Sequence, residues 1–152
     1  MKINTQLKIS DECTSLVKTM EGFKDTAYKC PAGIWTIGYG ETKGVKQGDT
    51  ISEFEAAKKL VVRLNEFGES VKEKLTIETS QHQFDALVSF AYNLGVAALS
   101  GSTLLKKHNE GLFSEVPTEF LKWNKAKVDG KLTELPGLTR RRKFEAVLYG
   151  KA

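Results

Sequence analysis

At 152 residues the chain has the size of one domain and can bury a core without metal or disulfide support. Its 40% hydrophobic and 28% charged residues are the mix of a soluble globular protein, and no stretch approaches the 18 or so consecutive apolar residues of a membrane span. The net charge of +4 is uneven: Lys and Arg stand 7 against 6 Asp and Glu over 1–50, 5 against 5 over 51–76 and 11 against 8 over 77–152. Such a surplus favours an anionic partner without choosing among nucleic acid, cell-wall polymer and lipid headgroups. The start, MKINTQLKISDEC, has no apolar run of the secretory kind, so the expectation is a product that stays in the cytoplasm where it is made. Two cysteines, Cys13 and Cys30, argue against a disulfide framework and leave one bridge between them open.

Ser10 is placed to cap a short helix over 10–21, with Asp11 and Glu12 in its first turn, Cys13, Leu16, Val17 and Met20 on one face, and Gly22 as its stop. From 26 to 51 aromatic and β-branched residues broken by Pro31 and several glycines read as a small hairpin or meander. Ser52 to Glu55 has capping-box spacing and opens a long helix from about 53 to about 75, with a stripe of Phe54, Ala57, Leu60, Val61, Leu64 and Phe67. Gly68 marks a bend or an end in it. A second box, Ser80 to Gln83, opens the most apolar helix, through Phe84, Leu87, Val88, Phe90, Ala91 and Leu94 to Gly95.

Ser102 precedes a short helix ending at Gly111, and Pro117 suits the first turn of another. Asp129-Gly130 and Pro136-Gly137 are turn dipeptides. The tail reads as a helix capped by Thr139 and closed by Gly150, with Phe144, Val147 and Leu148 as its apolar stripe. The sum is an α+β fold: a small N-terminal β-sheet lobe (about 1–52), a linking helix (about 53–75) and a mainly helical C-terminal lobe (about 76–152), together one domain over 1–152.

Most motifs have a structural explanation. Gly38-Tyr39-Gly40 lacks the third glycine of a dinucleotide fingerprint, since Lys43 stands there, and is read as turn glycines. His82 and His108 have no Glu or Cys at ligand spacing, so neither metal nor cofactor is expected. The run Arg140 to Lys143 suits a solvated helix face, although one arginine could turn inward to a carboxylate. Glu21 is harder to dismiss, because it falls where helix meets sheet, a junction at which clefts form. Nine residues on stands the ionisable Cys30, and with a turn over Lys29 to Gly33 the thiol and the Thr36 hydroxyl fall near each other on paired strands, facing Glu21. An acid for the leaving oxygen and a group that positions water or attacks the anomeric carbon are what glycoside hydrolysis requires.

The spacing Glu, eight residues, Asp or Cys, five residues, Thr is met by Glu21, Cys30 and Thr36, with GIWTIGYG after the cysteine, FDALVSFAYNLG at 84–95, STLLKKHNEG at 102–111 and PGLTRRRKFEAVLYG at 136–150. In these segments the chain resembles the phage-type lysozymes, glycoside hydrolase family 24, over nearly its whole length. The resemblance implies an endolysin that cleaves the β-1,4 bond between N-acetylmuramic acid and N-acetylglucosamine in peptidoglycan, acting as a monomer and needing no cofactor. Glu21 becomes the general acid, Cys30 takes a place most often held by Asp, and Thr36 helps hold the water. By similarity Tyr92 lines the glycan cleft and Ser102 offers a hydroxyl there; Tyr92 also fits as a core aromatic and Ser102 as an N-cap. Many relatives read GYGH where this chain has Gly38-Tyr39-Gly40-Glu41, so a cation at that position is missing.

A thiol of ordinary pKa, about 8.5, is a poor base at neutral pH and a strong nucleophile once ionised, so Cys30 is open to three roles: water holder, thiolate base or nucleophile. The family resemblance implies inversion; a thiolate nucleophile would give retention. A bridge from Cys13 to Cys30 outside the reducing cytoplasm would block the site. The alternative from another class is a non-catalytic wall-binding module of the same fold. Nucleic-acid binding rests on the basic surplus alone and is not expected. The cationic tail could touch anionic membranes as an amphipathic helix, or pack its stripe into the bundle. With no signal sequence, the resemblance implies holin-dependent passage from host cytoplasm to the wall.

Overall fold

The computed structural model describes residues 3–151. Its order is α1 (Asp11–Glu21), β1 (Lys24–Lys29), β2 (Trp35–Gly38), α2 (Glu53–Lys72), α3 (Gln81–Leu94), α4 (Val96–Ser100), α5 (Thr103–Asn109), a 3-10 turn (Phe113–Glu115), α6 (Val116–Leu121), β3 (Lys125–Val128), β4 (Lys131–Glu134) and α7 (Pro136–Tyr149). The α+β fold is as the sequence indicates. β1 and β2 pair antiparallel with Tyr28 opposite Thr36 and Lys29 opposite Trp35, and Thr26 bridges to Thr50.

One apolar core runs through the helices. It joins Cys13 and Val17 of α1 to Leu60, Leu64 and Val71 of α2, to Phe84 through Ala91 of α3, and to Leu148 and Tyr149 of α7. α3 is buried on every side from Phe84 to Ala91, so its polar residues need internal partners. Asp85 takes the Ser10 backbone N–H at 3.1 Å and its hydroxyl, along with the Gln81 amide at 2.9 Å. Ser10 therefore sits at the N-cap position, but its hydroxyl fastens α1 to α3 instead of capping α1. Ser80 and Gln83 form the full capping box, while Ser52 caps α2 by accepting from the Glu55 N–H without the reciprocal backbone bond.

Two stripes fall elsewhere than expected. In α2 the inward face is Ala56, Leu60, Leu64, Gly68 and Val71, while Phe54 is 73% exposed and Val61 is also outside. Gly68 is continuous helix: a Cβ there would meet the Phe84 ring at 3.1 Å, so its bare Cα lets α3 approach. In α7 the helix begins at Pro136 with Leu135 as N-cap, three residues before Thr139. Its buried face is Arg141, Arg142, Glu145, Leu148 and Tyr149, which leaves Phe144 and Val147 at 47% and 67% exposure. Ion pairing described below replaces the apolar contact that Phe144 and Val147 were expected to make. The Asp129-Gly130 turn closes a hairpin, β3 and β4, that short alternating segments rich in lysine did not announce.

His108 belongs to the interior. Thr79 gives its one hydroxyl proton to the Ile77 carbonyl at 3.0 Å, so its oxygen, 2.8 Å from His108 Nε2, accepts from Nε2–H. Nδ1 then accepts from the Tyr149 hydroxyl at 2.6 Å. Both ring nitrogens are satisfied in the neutral form, and burial pushes the imidazole down to about 4 from 6.5. In the unfolded chain the ring takes up a proton at higher pH than in the folded one. The stabilisation from the neutral, buried ring is therefore complete above the unfolded value and is lost as pH falls toward the folded one, by on the order of 3 kcal/mol in total. Urea unfolding between pH 7 and 4 should show this loss in the wild type, and His108→Gln should flatten the slope by about one proton.

Candidate active site

Glu21 is the last residue of α1, and Gly22 at φ 71° turns the chain into β1. From the opposite end of the sequence α7 presents Arg141, whose Nη1 lies 2.5 Å from Glu21 Oε2. The guanidinium is itself fixed: Nη2 donates to the Ser89 carbonyl at 3.1 Å and Nε to Glu145 Oε2 at 3.3 Å. Glu145 in turn accepts from the Ser89 hydroxyl at 2.5 Å and from Arg142 Nη2 at 3.1 Å, while Arg142 Nε lies 2.7 Å from Glu145 Oε1 off the hydrogen-bonding direction. Arg142 also reaches the Asn93 side chain at 2.8 Å. Two cations and two carboxylates thus balance in a cluster where Arg141, Arg142 and Glu145 are buried and Glu21 stays partly exposed, and such pairing is the condition under which buried charge is tolerated.

The other carboxylate oxygen of Glu21 faces the loop after β2. A Cβ on Gly40 would stand 2.9 Å from Oε1 and 3.4 Å from the Tyr92 hydroxyl, and φ at Gly40 is +86°. Only glycine meets both conditions without displacing the acid. Tyr92, on α3, donates to the Tyr39 carbonyl at 2.7 Å and packs edge-on against Phe67 at 5.4 Å. Burial and the nearby carboxylates Glu21 and Glu41 raise its phenol far above the ordinary value, so it is a neutral donor. Sequence reasoning places Tyr92 at the site, and here it touches the backbone that borders Glu21.

Cys30 opens the β1–β2 turn: its N–H donates to the Ile34 carbonyl at 2.9 Å and its carbonyl accepts from the Gly33 N–H at 2.8 Å. It therefore stands opposite Ile34, and Thr36, opposite Tyr28, is its diagonal neighbour on the same face. The Ile34 N–H lowers the Cys30 thiol from its ordinary value, burial opposes this, and the Ala32 N–H, the Thr36 hydroxyl and the Gly33 N–H add to the lowering. Thr36 Oγ1 also lies 3.0 Å from the Ile34 carbonyl, and with one proton it serves either that oxygen or the sulfur. Burial raises the Tyr28 phenol, with smaller contributions from Glu21 and Cys30.

Ser102 is elsewhere employed. It is buried, accepts from the Leu105 N–H at 3.0 Å as the N-cap of α5 and donates to the Leu99 carbonyl at 2.6 Å. Both cysteines are free. Cys13 is fully buried beside the Asp85 carbonyl, with its thiol raised by burial, and lies about 12 Å down α1 from Glu21 at the helical rise of about 1.5 Å per residue. A bridge to Cys30 would require α1 to leave the core.

The phage lysozyme family model matches residues 18–145, a span that holds Glu21, Cys30, Thr36 and Arg141. The chain belongs to the phage lysozyme family. It is 40% identical over 146 residues to an endolysin of Acyrthosiphon pisum secondary endosymbiont phage 1, covering 96% of this chain and 100% of that one. Among solved structures it is similar to the muramidase domain of SpmX from Asticaccaulis excentricus, with a TM-score of 0.91 and 34% identity over 97% of this chain and 100% of that one. It is likewise similar to an endolysin from Escherichia coli O157:H7 phage FAHEc1, with a TM-score of 0.88 and 36% identity over 95% and 94% of the two chains.

Arg141, Glu145 and Ser89 escaped assignment from sequence. The signal was present in the spacing of Arg141 and Arg142 four and three residues before Glu145 on one helix, with Leu148 completing the same face. Arg141→Met leaves Glu21 without its cation, while Glu145 keeps Arg142 and the Ser89 hydroxyl. It should lower stability in urea unfolding by about 1–3 kcal/mol, alongside a loss of lytic activity. For the thiol, the pH dependence of iodoacetamide alkylation should have its midpoint below that of a free cysteine, and Thr36→Val should move it upward.

Proposed function

We propose that the protein is an endolysin that hydrolyses the β-1,4 bond between N-acetylmuramic acid and N-acetylglucosamine in peptidoglycan, working as one domain with its cleft between the hairpin and the helical body. The observation that carries this reading is the way Glu21 is held: Oε2 is tied to Arg141, while Oε1 is set against Gly40 with no side chain between them. Oε1 is then the oxygen suited to deliver a proton to the glycosidic oxygen. Cys30 and Thr36 support a water on the other face of the sugar. That water attacks the anomeric carbon as the bond to the leaving oxygen breaks, and its proton passes to the Cys30 thiolate favoured by the turn. The electron pair of the broken bond goes to the oxygen that Glu21 protonates, and the configuration inverts.

Similarity to an endolysin and to a muramidase domain supports the same substrate. Tyr92 serves as a wall of the cleft near Gly40. The place of action is the host cell wall at lysis, reached from the cytoplasm through a holin. No helix among the described residues is long and apolar enough to cross a membrane. Exposed Phe144 and Val147 beside Arg140 and Lys143 favour membrane contact by α7 as a second property, whereas inward-facing Arg141 and Arg142 remove two charges from any surface that would bind nucleic acid.

The test is zymography on peptidoglycan with the product anomer followed by NMR. Glu21→Gln should lose at least a hundredfold, the scale of general acid catalysis. Cys30→Asp should stay active, Cys30→Ser should be weaker than either, and the first product should be the α anomer. Equal clearing by Glu21→Gln and wild type would remove Glu21 as the acid, clearing by neither would favour a wall-binding module, and an initial β anomer would make Cys30 the nucleophile.

A further inference from the structure

The loop that borders Glu21 is closed on itself and pinned from two helices. Ile37 and Glu41 exchange backbone hydrogen bonds, each at 2.9 Å, so Gly38, Tyr39 and Gly40 form a tight loop at the end of β2. From α3, the Tyr92 hydroxyl holds the Tyr39 carbonyl. From α2, Arg63 grips the Glu41 carboxylate: Nη2 lies 3.1 Å from Oε1 and 3.2 Å from Oε2, and Nε 3.4 Å from Oε2. The Lys43 N–H adds a third donor to the carboxylate, at Oε1, 3.0 Å away. The Glu41 side chain is about 10% exposed and that of Arg63 22%, which separates this pair from the solvent-exposed ion pairs of α2. Arg63 has a second, exposed partner in Glu66.

Between the two pins sits Gly40, the residue whose backbone borders Glu21 Oε1. Any movement of Glu41 is passed by one peptide unit to the wall of the acid. Arg141 fixes one carboxylate oxygen, and the loop fixes where the other can go. We propose that the ion pair of Glu41 and Arg63 is a positioning device for the catalytic acid, which acts by holding the Gly40 backbone against Glu21 Oε1. This rests on the assignment of Glu21 as the acid. It gives the anionic residue at position 41 a cation of its own, on α2, so that the hairpin is fastened to that helix by a carboxylate from the loop and a guanidinium from the helix. A bidentate guanidinium fixes the direction of a carboxylate as well as its distance, so Arg63→Lys is not a neutral change.

The experiment compares kcat and KM on soluble peptidoglycan fragments with the thermal midpoint for Glu41→Gln, Arg63→Gln, the double variant, Arg63→Lys and the exchanged pair Glu41→Arg with Arg63→Glu. Glu66→Gln and Glu21→Gln serve as controls. Displacing a reacting group by a fraction of an ångström costs on the order of tenfold in rate. The two Gln variants should therefore each lower kcat by about tenfold with KM within about twofold, and shift the pH profile of kcat. The double variant should be no slower than the worse single one, the exchanged pair should recover part of the loss, and Glu66→Gln should match wild type. If the Gln variants do not fold, Arg63→Lys carries the test: a lower kcat at an unchanged thermal midpoint supports the proposal. Unchanged kcat with a lowered midpoint in Glu41→Gln, Arg63→Gln or Arg63→Lys would make the pair a structural brace and overturn it. Full activity in Glu21→Gln would instead remove the acid assignment, a failure distinct from wild-type kcat in the Arg63 variants beside an inactive Glu21→Gln.

Discussion

A carboxylate at the end of one helix and a guanidinium in the last helix meet at 2.5 Å, and much else in the structure is arranged to allow it. Arg141 is almost fully buried, so it needs more than one partner, and it finds them in the Ser89 carbonyl and in Glu145. Glu145 then needs Arg142 and the Ser89 hydroxyl. These contacts fix the rotation of α7 about its axis, because turning it to bury Phe144 and Val147 would draw Arg141 and Glu145 toward water and leave Glu21 without its cation. Side-chain charge, more than apolar area, sets the phase of this helix.

That inversion of the usual order explains which parts of the fold were legible in advance. The cap at Ser52, the capping box at Ser80 and the stops at Gly22 and Gly95 are local signals, and they placed α1, the start of α2 and α3 within a residue or so, while α2 ends three residues short of the expected 75. The α7 start and stripe were not legible: Thr139 resembles a cap and Phe144 resembles core, and only the long-range demand of Glu21 makes Arg141 an interior residue. Much the same holds for Phe54, which looks like the first residue of a buried stripe but lies outside the packed face led by Ala56. Gly68 looked like a break and is a place where two helices come close, a fact that belongs to Phe84 as much as to Gly68.

At the site, the spacing of Glu21, Cys30 and Thr36 was readable, and the geometry sharpened what the cysteine is. In the turn after β1 the Ile34 N–H lowers the thiol against the opposing effect of burial, with smaller help from the Ala32 N–H, the Thr36 hydroxyl and the Gly33 N–H, which shifts it toward the charged form. An aspartate needs no such help, which suggests why a chain carrying cysteine here must rely on the shape of the turn. Ser102, by contrast, is spoken for by α4 and α5, and a hydroxyl with both its donor and its acceptor engaged has little left to offer a sugar.

The contact between residues 21 and 141 also has a meaning in time. The acid lies near the start of the chain and its cation near the end, 120 residues apart. A ribosome completes the hairpin and the long helix well before α7 emerges, so the nascent chain carries its signature residues without the partner that orients the first of them. The Glu21–Arg141 contact would therefore form with the docking of α7, in one step with completion of the core, and a chain lacking α7 would lack the cation that holds Glu21 in place.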